Sequence, residues 1–175
     1  MMDDDWLDER HRKSKKSMAA PKELNESELR RKAVELLARR EYSFAELEKK
    51  LLPLSSDETL VYNALDWMVE NGLQSDQRFA TMYVRSKALS GYGPIRIRME
   101  LKQKGVSESL MELAFDELAN ELDWIATVDQ QIEKKSRNLD LADPKDKNKL
   151  MGYMQRRGFS LDQIYSGLDR RKYIS

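Results

Sequence analysis

The chain has no cysteine among its 175 residues. That absence removes disulfides, thiolate metal sites and cysteine nucleophiles together, and it fits a reducing compartment. Histidine is almost as scarce. The single one is His11, so neither a Ser-His-Asp triad nor a histidine metal site has material. No apolar run approaches the roughly 20 residues that a membrane-crossing helix needs. The first residues are acids and Trp6 rather than a basic segment leading into an apolar one, so no secretory signal is expected. Nucleotide loops are missing as well: neither GxxxxGK[ST] nor GxGxxG occurs. Glycine and proline number only seven and four. Leucine, alanine, glutamate, lysine and arginine are abundant instead, which predicts an all-α protein.

What is present is charge, 35% of all residues, summing to a formal net of zero. It is strongly segregated. Arg78, Arg85, Lys87, Arg96, Arg98, Lys102 and Lys104 accompany a single acid, Glu100, between residues 77 and 107. Residues 108–123 reverse the sign, with Glu108, Glu112, Asp116, Glu117, Glu121 and Asp123 and no base. Such a pattern concerns partners and association, not fold.

The basic stretch divides at Gly91-Tyr92-Gly93-Pro94. Phe79, Met82, Tyr83 and Ser86 recur at helical spacing before it, predicting a helix over 77–90. Gly91 suits the left-handed position past a helix end, and Pro94 a first helical turn. A second helix then runs to about Lys104, Gly105 ends it, and Ser107 caps a third.

The same plan recurs on either side. Residues 1–24 show no period and read as a disordered charged tail. Its Asp3–Asp5 and His11–Lys16 clusters are best explained as solvated charge. Residues 25–75 form a first three-helix unit. Leu29, Ala33, Leu36 and Leu37 line its first helix, and capping boxes are expected at Ser43/Glu46 and Ser55/Glu58. Residues 76–122 form the second unit. Residues 123–175 form the third, opened by Asp123, continued at Asp143-Pro144 and closed by a helix capped at Ser160/Gln163; Ile125, Val128 and Ile132 share its first face. Lys104-Gly105-Val106-Ser107 answers Arg157-Gly158-Phe159-Ser160, with Leu101 and Met154 each four residues before the glycine. The expected architecture is three tandem three-helix repeats in an elongated, curved, solenoid-like protein.

Several pieces resemble one family. Ala38–Ser43 with Glu46-Leu47, Asp76–Ala80 with Tyr83-Val84, Gly91–Pro94 with Arg96-Ile97, Glu100-Leu101 with Lys104–Val106, and Arg156–Phe159 all resemble RecX, the bacterial regulators of the RecA recombinase. They follow the family order from about residue 30 to the C-terminus. The resemblance implies a non-enzymatic, cytoplasmic negative regulator that needs no cofactor. It would lie in the groove of the RecA–DNA filament and inhibit ATP hydrolysis, strand exchange and co-protease activity; a monomer is expected, with the RecA nucleoprotein filament as partner, weak binding to DNA itself and no membrane. Recombination, DNA repair and the SOS response would be damped in consequence.

On this reading the partner-binding residues are Arg78, Arg85, Lys87, Tyr92, Arg96, Arg98, Lys102, Lys104, Arg156 and Arg157, with the Arg96–Lys104 helix as an exposed cationic strip. The plainer reading of that strip is a solvated face with an intrahelical ion pair. Arg156 and Arg157 also suit a helix end, and the aromatics at helical spacing suit the core. The rival function is a stand-alone helical DNA-binding protein, weakened by the acidity of the third helix, 107–121. A scaffold without a nucleic-acid role is the third.

Overall fold

The computed structural model describes residues 23–174. Nine α-helices and one 3-10 turn lie among them, with no strand. They are α1 (Glu26–Arg39), α2 (Phe44–Leu51), α3 (Glu58–Glu70), α4 (Asp76–Leu89), α5 (Pro94–Gln103), α6 (Glu108–Glu117), α7 (Trp124–Ser136), α8 (Pro144–Arg157) and α9 (Leu161–Ile174). The two charged clusters expected to be solvated tail lie outside the described residues. Glu23 and Leu24, which the sequence assigns to the tail, are tied to the first unit instead. The Leu24 amide donates to the Leu54 carbonyl at 2.9 Å, and the Glu23 carboxylate accepts from the Ser56 amide at 2.8 Å.

Local chemistry sets most helix starts. At Ser43/Glu46 and Ser160/Gln163 the hydroxyl accepts from the amide three residues on, while the longer side chain returns to the cap's own amide. Asn25/Glu28 closes the same box. Ser75, Ser107, Asp123 and Asp143 cap α4, α6, α7 and α8. Such a cap is worth about 1 kcal/mol. The expected box at Ser55/Glu58 does not form. Asp57 caps α3 by accepting from Thr59, and Ser55 is buried, its hydroxyl accepting from the Asp57 amide. An aspartate one residue before the helix outcompetes a serine two residues further back.

The internal repeat has a structural basis. Gly105 and Gly158 both take positive φ, +79° and +102°. In each turn the following amide (Val106, Phe159) returns to the carbonyl of the apolar residue four before the glycine (Leu101, Met154). Both following side chains are buried. This is one helix-ending motif used twice. The first unit has no such glycine, and α2 runs out through the 3-10 turn Leu52–Leu54.

In each unit the first and third helices form the main packed pair: α1 with α3, α4 with α6, α7 with α9. Three apolar clusters result. They centre on Leu29, Leu47, Leu51 and Leu65; on Phe79, Ile97, Leu101 and Leu118; and on Ile132, Leu150, Phe159 and Ile164. Two expected faces are corrected. In α4, Met82 and Ser86 are exposed while Phe79, Ala80, Val84 and Ala88 face inward. In α7, Ile125 is exposed and Val128 and Ile132 are buried. The pairing with α6 puts the small Ala80 and Ala88 inward, residues whose hydropathy alone gave them little weight.

Candidate functional site

α5 sits between the other two units and touches both. At its C-terminal end the Lys104 carbonyl accepts from Ser43 Oγ at 2.7 Å, and a Cβ on Gly105 would stand 2.6 Å from that of Ala45. Nearby, Asp76 accepts from the Phe44 amide at 2.8 Å, and the buried Gln74 side chain donates to the Tyr42 carbonyl at 3.2 Å. At its N-terminal end the Gly93 amide donates to the Arg157 carbonyl at 2.7 Å, and the Ile95 amide to that of Gly158 at 3.1 Å. A Cβ on Gly93 would lie 2.4 Å from the Gly158 backbone, and one on Gly158 would lie 2.4 Å from Arg96 Cβ. The second and third units meet backbone to backbone, which only glycine permits.

Most of the cations singled out from the sequence are paired within the chain. Arg78 bonds Glu41 at 2.5 Å and donates to the Gly72 and Leu73 carbonyls, closing the end of α3. Arg85 forks onto Glu121 at 2.6 and 3.3 Å. Arg98 bonds Glu112 and lies 4.2 Å from the Phe115 ring centroid. The acidic run of residues 108–123 therefore supplies the counter-charge of Arg85 in α4 and Arg98 in α5, a pairing invisible when the two blocks are read apart. Lys104 reaches Glu46 at 3.6 Å. Lys102 is exposed and has no acidic partner among the described residues.

Arg96, Lys87 and Tyr83 converge on Glu100. Arg96 Nε donates to one carboxylate oxygen at 3.0 Å, the Tyr83 hydroxyl to the other at 2.5 Å, and Lys87 lies 3.8 Å away. Burial pushes the Glu100 carboxyl up, but the hydrogen bonds from Tyr83 and Arg96 outweigh it and hold it below its ordinary value. Burial and the same carboxylate push the Tyr83 phenol far up. Glu46 is likewise held down, burial being outweighed by Arg40, Ser43 and Lys104. These groups line a cleft of about 380 Å³ between the first two units. Every carboxylate there already has its partners, and among the described residues no cluster of acids or histidine could hold a metal ion.

Tyr92 is half-buried, not a bare turn tip. The Arg157 and Arg96 guanidinium groups lie 4.0 and 4.5 Å from its ring centroid, and the Lys87 ammonium 4.8 Å. Arg157 also donates to the Ser90 carbonyl at 2.7 Å, and Arg96 to that of Arg156 at 3.1 Å. The Arg156 side chain is exposed. Arg96, Arg157 and Tyr92 thus clamp the second unit to the third. The expectation that Arg96 stands on an open strip is corrected accordingly.

Sequence reading missed the residues that α5 does present. Ile95 and Met99 are 55% and 54% exposed, one turn apart, and Lys102 continues their face. The signal was legible: Ile95, Ile97, Met99 and Leu101 alternate, and alternation on a helix puts apolar groups on two faces. Ile97 and Leu101 take the inner one.

Family comparison agrees with this arrangement. The second three-helix domain of RecX matches residues 75–114, and the third matches residues 121–168. Regulatory protein RecX of Pseudomonas entomophila (strain L48) is 35% identical over 136 residues, covering 78% of this chain and 86% of that protein. The chain belongs to the RecX family. Regulatory protein RecX of Pseudomonas putida (strain GB-1) is 35% identical over 83% of this chain and 94% of its own length. That of Halorhodospira halophila (strain DSM 244 / SL1) is 36% identical over 75% and 81%. The crystal structure of RecX from Lactobacillus salivarius superposes with a TM-score of 0.73, covering 85% of this chain and 97% of that one at 23% identity, a likeness of fold. The chain is a regulatory protein of the RecX type with a tandem three-helix fold. No helix among the described residues is long and apolar enough to cross a membrane.

Proposed function

We propose that this protein is a non-enzymatic negative regulator of the RecA recombinase. It binds in the groove of the RecA–DNA filament as a monomer, without a cofactor, and inhibits ATP hydrolysis, strand exchange and co-protease activity. In the cytoplasm it would thereby restrain recombination, DNA repair and the SOS response. The observation that carries this reading is membership of the RecX family over most of the chain.

The α5 face supports a specific contact surface. Protein interfaces bury an apolar centre within a polar rim, and Ile95 and Met99 offer such a centre. Lys102 and, further out, Arg156 form the rim. Cations already paired at home cost desolvation to recruit, so Arg78, Arg85, Lys87, Arg98 and Lys104 serve mainly to fix the shape that is presented. A protein bridging neighbouring recombinase subunits would oppose the rearrangement that accompanies ATP turnover. Titration into RecA on single-stranded DNA tests this: ATP hydrolysis should fall at amounts well below one per recombinase. Undiminished hydrolysis at equimolar protein would overturn the proposal.

A further inference from the structure

Charge is spread unevenly over the three units. Residues 23–75 carry eleven acidic and seven basic side chains, whereas residues 124–174 carry seven acidic and eleven basic. In the second unit Lys102 alone lacks an acidic partner among the described residues. The third unit differs. The side chains of Lys134, Arg137, Lys145 and Lys147 are exposed, with neither a hydrogen bond nor an ion pair among the described residues. Lys145 and Lys147 occupy the first turn of α8, where the helix dipole disfavours cations. Packing does not require them there, since the inward residues of α8 are Leu150 and Met154.

Between the α7–α8 connection, α8 and α9 lies a groove of about 260 Å³. Leu141, Leu168 and the half-exposed Tyr165 supply apolar surface. Lys147 flanks it from α8, and Arg171 and Lys172 from α9; Asp169 also lines it and pairs with Lys172 at 3.5 Å. Cations on both sides of an exposed aromatic ring are the elements of a single-strand nucleic-acid site, where bases stack and phosphates are neutralised. An acidic peptide would satisfy the cations but has no need of the ring. Outside the groove the same unit carries the exposed, unpaired Lys134, Arg137 and Lys145, an excess of positive charge that suits a polyanion better than a point charge.

We propose that this groove of the third unit binds single-stranded nucleic acid, a base lying on Tyr165 and its flanking phosphates against Lys147 and Lys172. The proposal is independent of RecA, since it concerns bare DNA, and each reading can fail alone. The test is fluorescence anisotropy of a labelled oligo-dT with the full chain over a range of salt. Lys147→Glu with Lys172→Glu should weaken binding at least tenfold and flatten the salt dependence by about 0.7 in log–log slope for each phosphate no longer neutralised. Tyr165→Ala should weaken it about fivefold or more with the salt slope unchanged, and Tyr165→Phe should restore it. These side chains are exposed, and circular dichroism will show that the variants fold. Lys32→Glu with Lys50→Glu, the same charge change in the first unit, should leave affinity within about twofold. Equal weakening by that control, no effect of Tyr165→Ala, or no binding by the wild-type chain would overturn the proposal. So would an acidic peptide held through Lys147 where the oligonucleotide is not.

Discussion

Replacing Gly93 with alanine tests how the second and third units are held together. Its φ is −92°, which alanine adopts freely, so backbone strain contributes nothing. The cost is steric. The new methyl would lie 2.4 Å from the carbonyl carbon and oxygen of Gly158 and 2.8 Å from Phe159 Cδ1. The backbone atoms cannot swing aside, so the two turns must part. Parting threatens the 2.7 Å bond from the Gly93 amide to Arg157 and the 3.1 Å bond from the Ile95 amide to Gly158. At about 1 kcal/mol for each bond, with about 1–3 kcal/mol for overpacking, the loss is about 3–5 kcal/mol if the junction stays closed. If it opens, the loss is capped at the worth of the junction. The natural contrast is Gly72→Ala, where φ is +69° but nothing lies within 4 Å of the new methyl. That change should cost about 1 kcal/mol of backbone strain alone. Urea denaturation followed by circular dichroism gives both numbers, and amide exchange locates the damage. Gly93→Ala should expose the Gly93 and Ile95 amides to exchange while Leu101 within α5 stays protected. A wild-type midpoint with unchanged protection at those two amides would refute the account of the junction.

Further outcomes follow from the same geometry. Met99→Glu combined with Lys102→Glu should change stability by about 0.5 kcal/mol or less, both sites being exposed, yet raise the concentration needed to inhibit RecA at least tenfold. Arg96→Glu should instead lower stability by about 2 kcal/mol or more, because the new carboxylate faces Glu100 and abandons the Arg156 carbonyl; matched melting curves separate the two cases. Arg85→Gln breaks an exposed ion pair and should cost under about 1 kcal/mol in a urea titration. Glu46 and Glu100 have folded pKa values depressed below the ordinary carboxylate value. Their contribution is therefore present above the unfolded value near 4.5 and is lost as pH falls through the lower folded values. Urea midpoints should hold from neutral pH to about 5 and then decline, and Glu46→Gln with Glu100→Gln should make the acid limb shallower. The Tyr83 phenol is raised, so its contribution is present below about 10 and fades only in strong alkali.

Helix starts were legible because a cap is a local event: Ser43 with Glu46, Asp143 with Pro144 and Ser160 with Gln163 each carry their partners within three residues. The repeat was legible for a similar reason, since Gly105 and Gly158 close one motif with the same short spacing. What could not be read needed tertiary register. The acids of residues 108–123 and the α4 and α5 bases look like separate patches until Arg85 meets Glu121 and Arg98 meets Glu112. Gly93 reads as part of a turn, and its real constraint, the Gly158 backbone, comes from a residue 65 positions away. Arg96 looked like surface because its contact with the Arg156 carbonyl depends on that same junction. Ile95 and Met99 were visible in the alternating pattern of α5 but were overshadowed by the charges between them.

Regulation of RecA through the α5 face is best tested by RecA's ATP hydrolysis on single-stranded DNA, with the wild-type chain and the Met99→Glu/Lys102→Glu variant titrated side by side. Inhibition by the wild-type chain is expected well below one molecule per recombinase, with its loss in the folded variant. Equal inhibition by both would remove α5 from the contact surface, and no inhibition by either would contradict the proposed function itself.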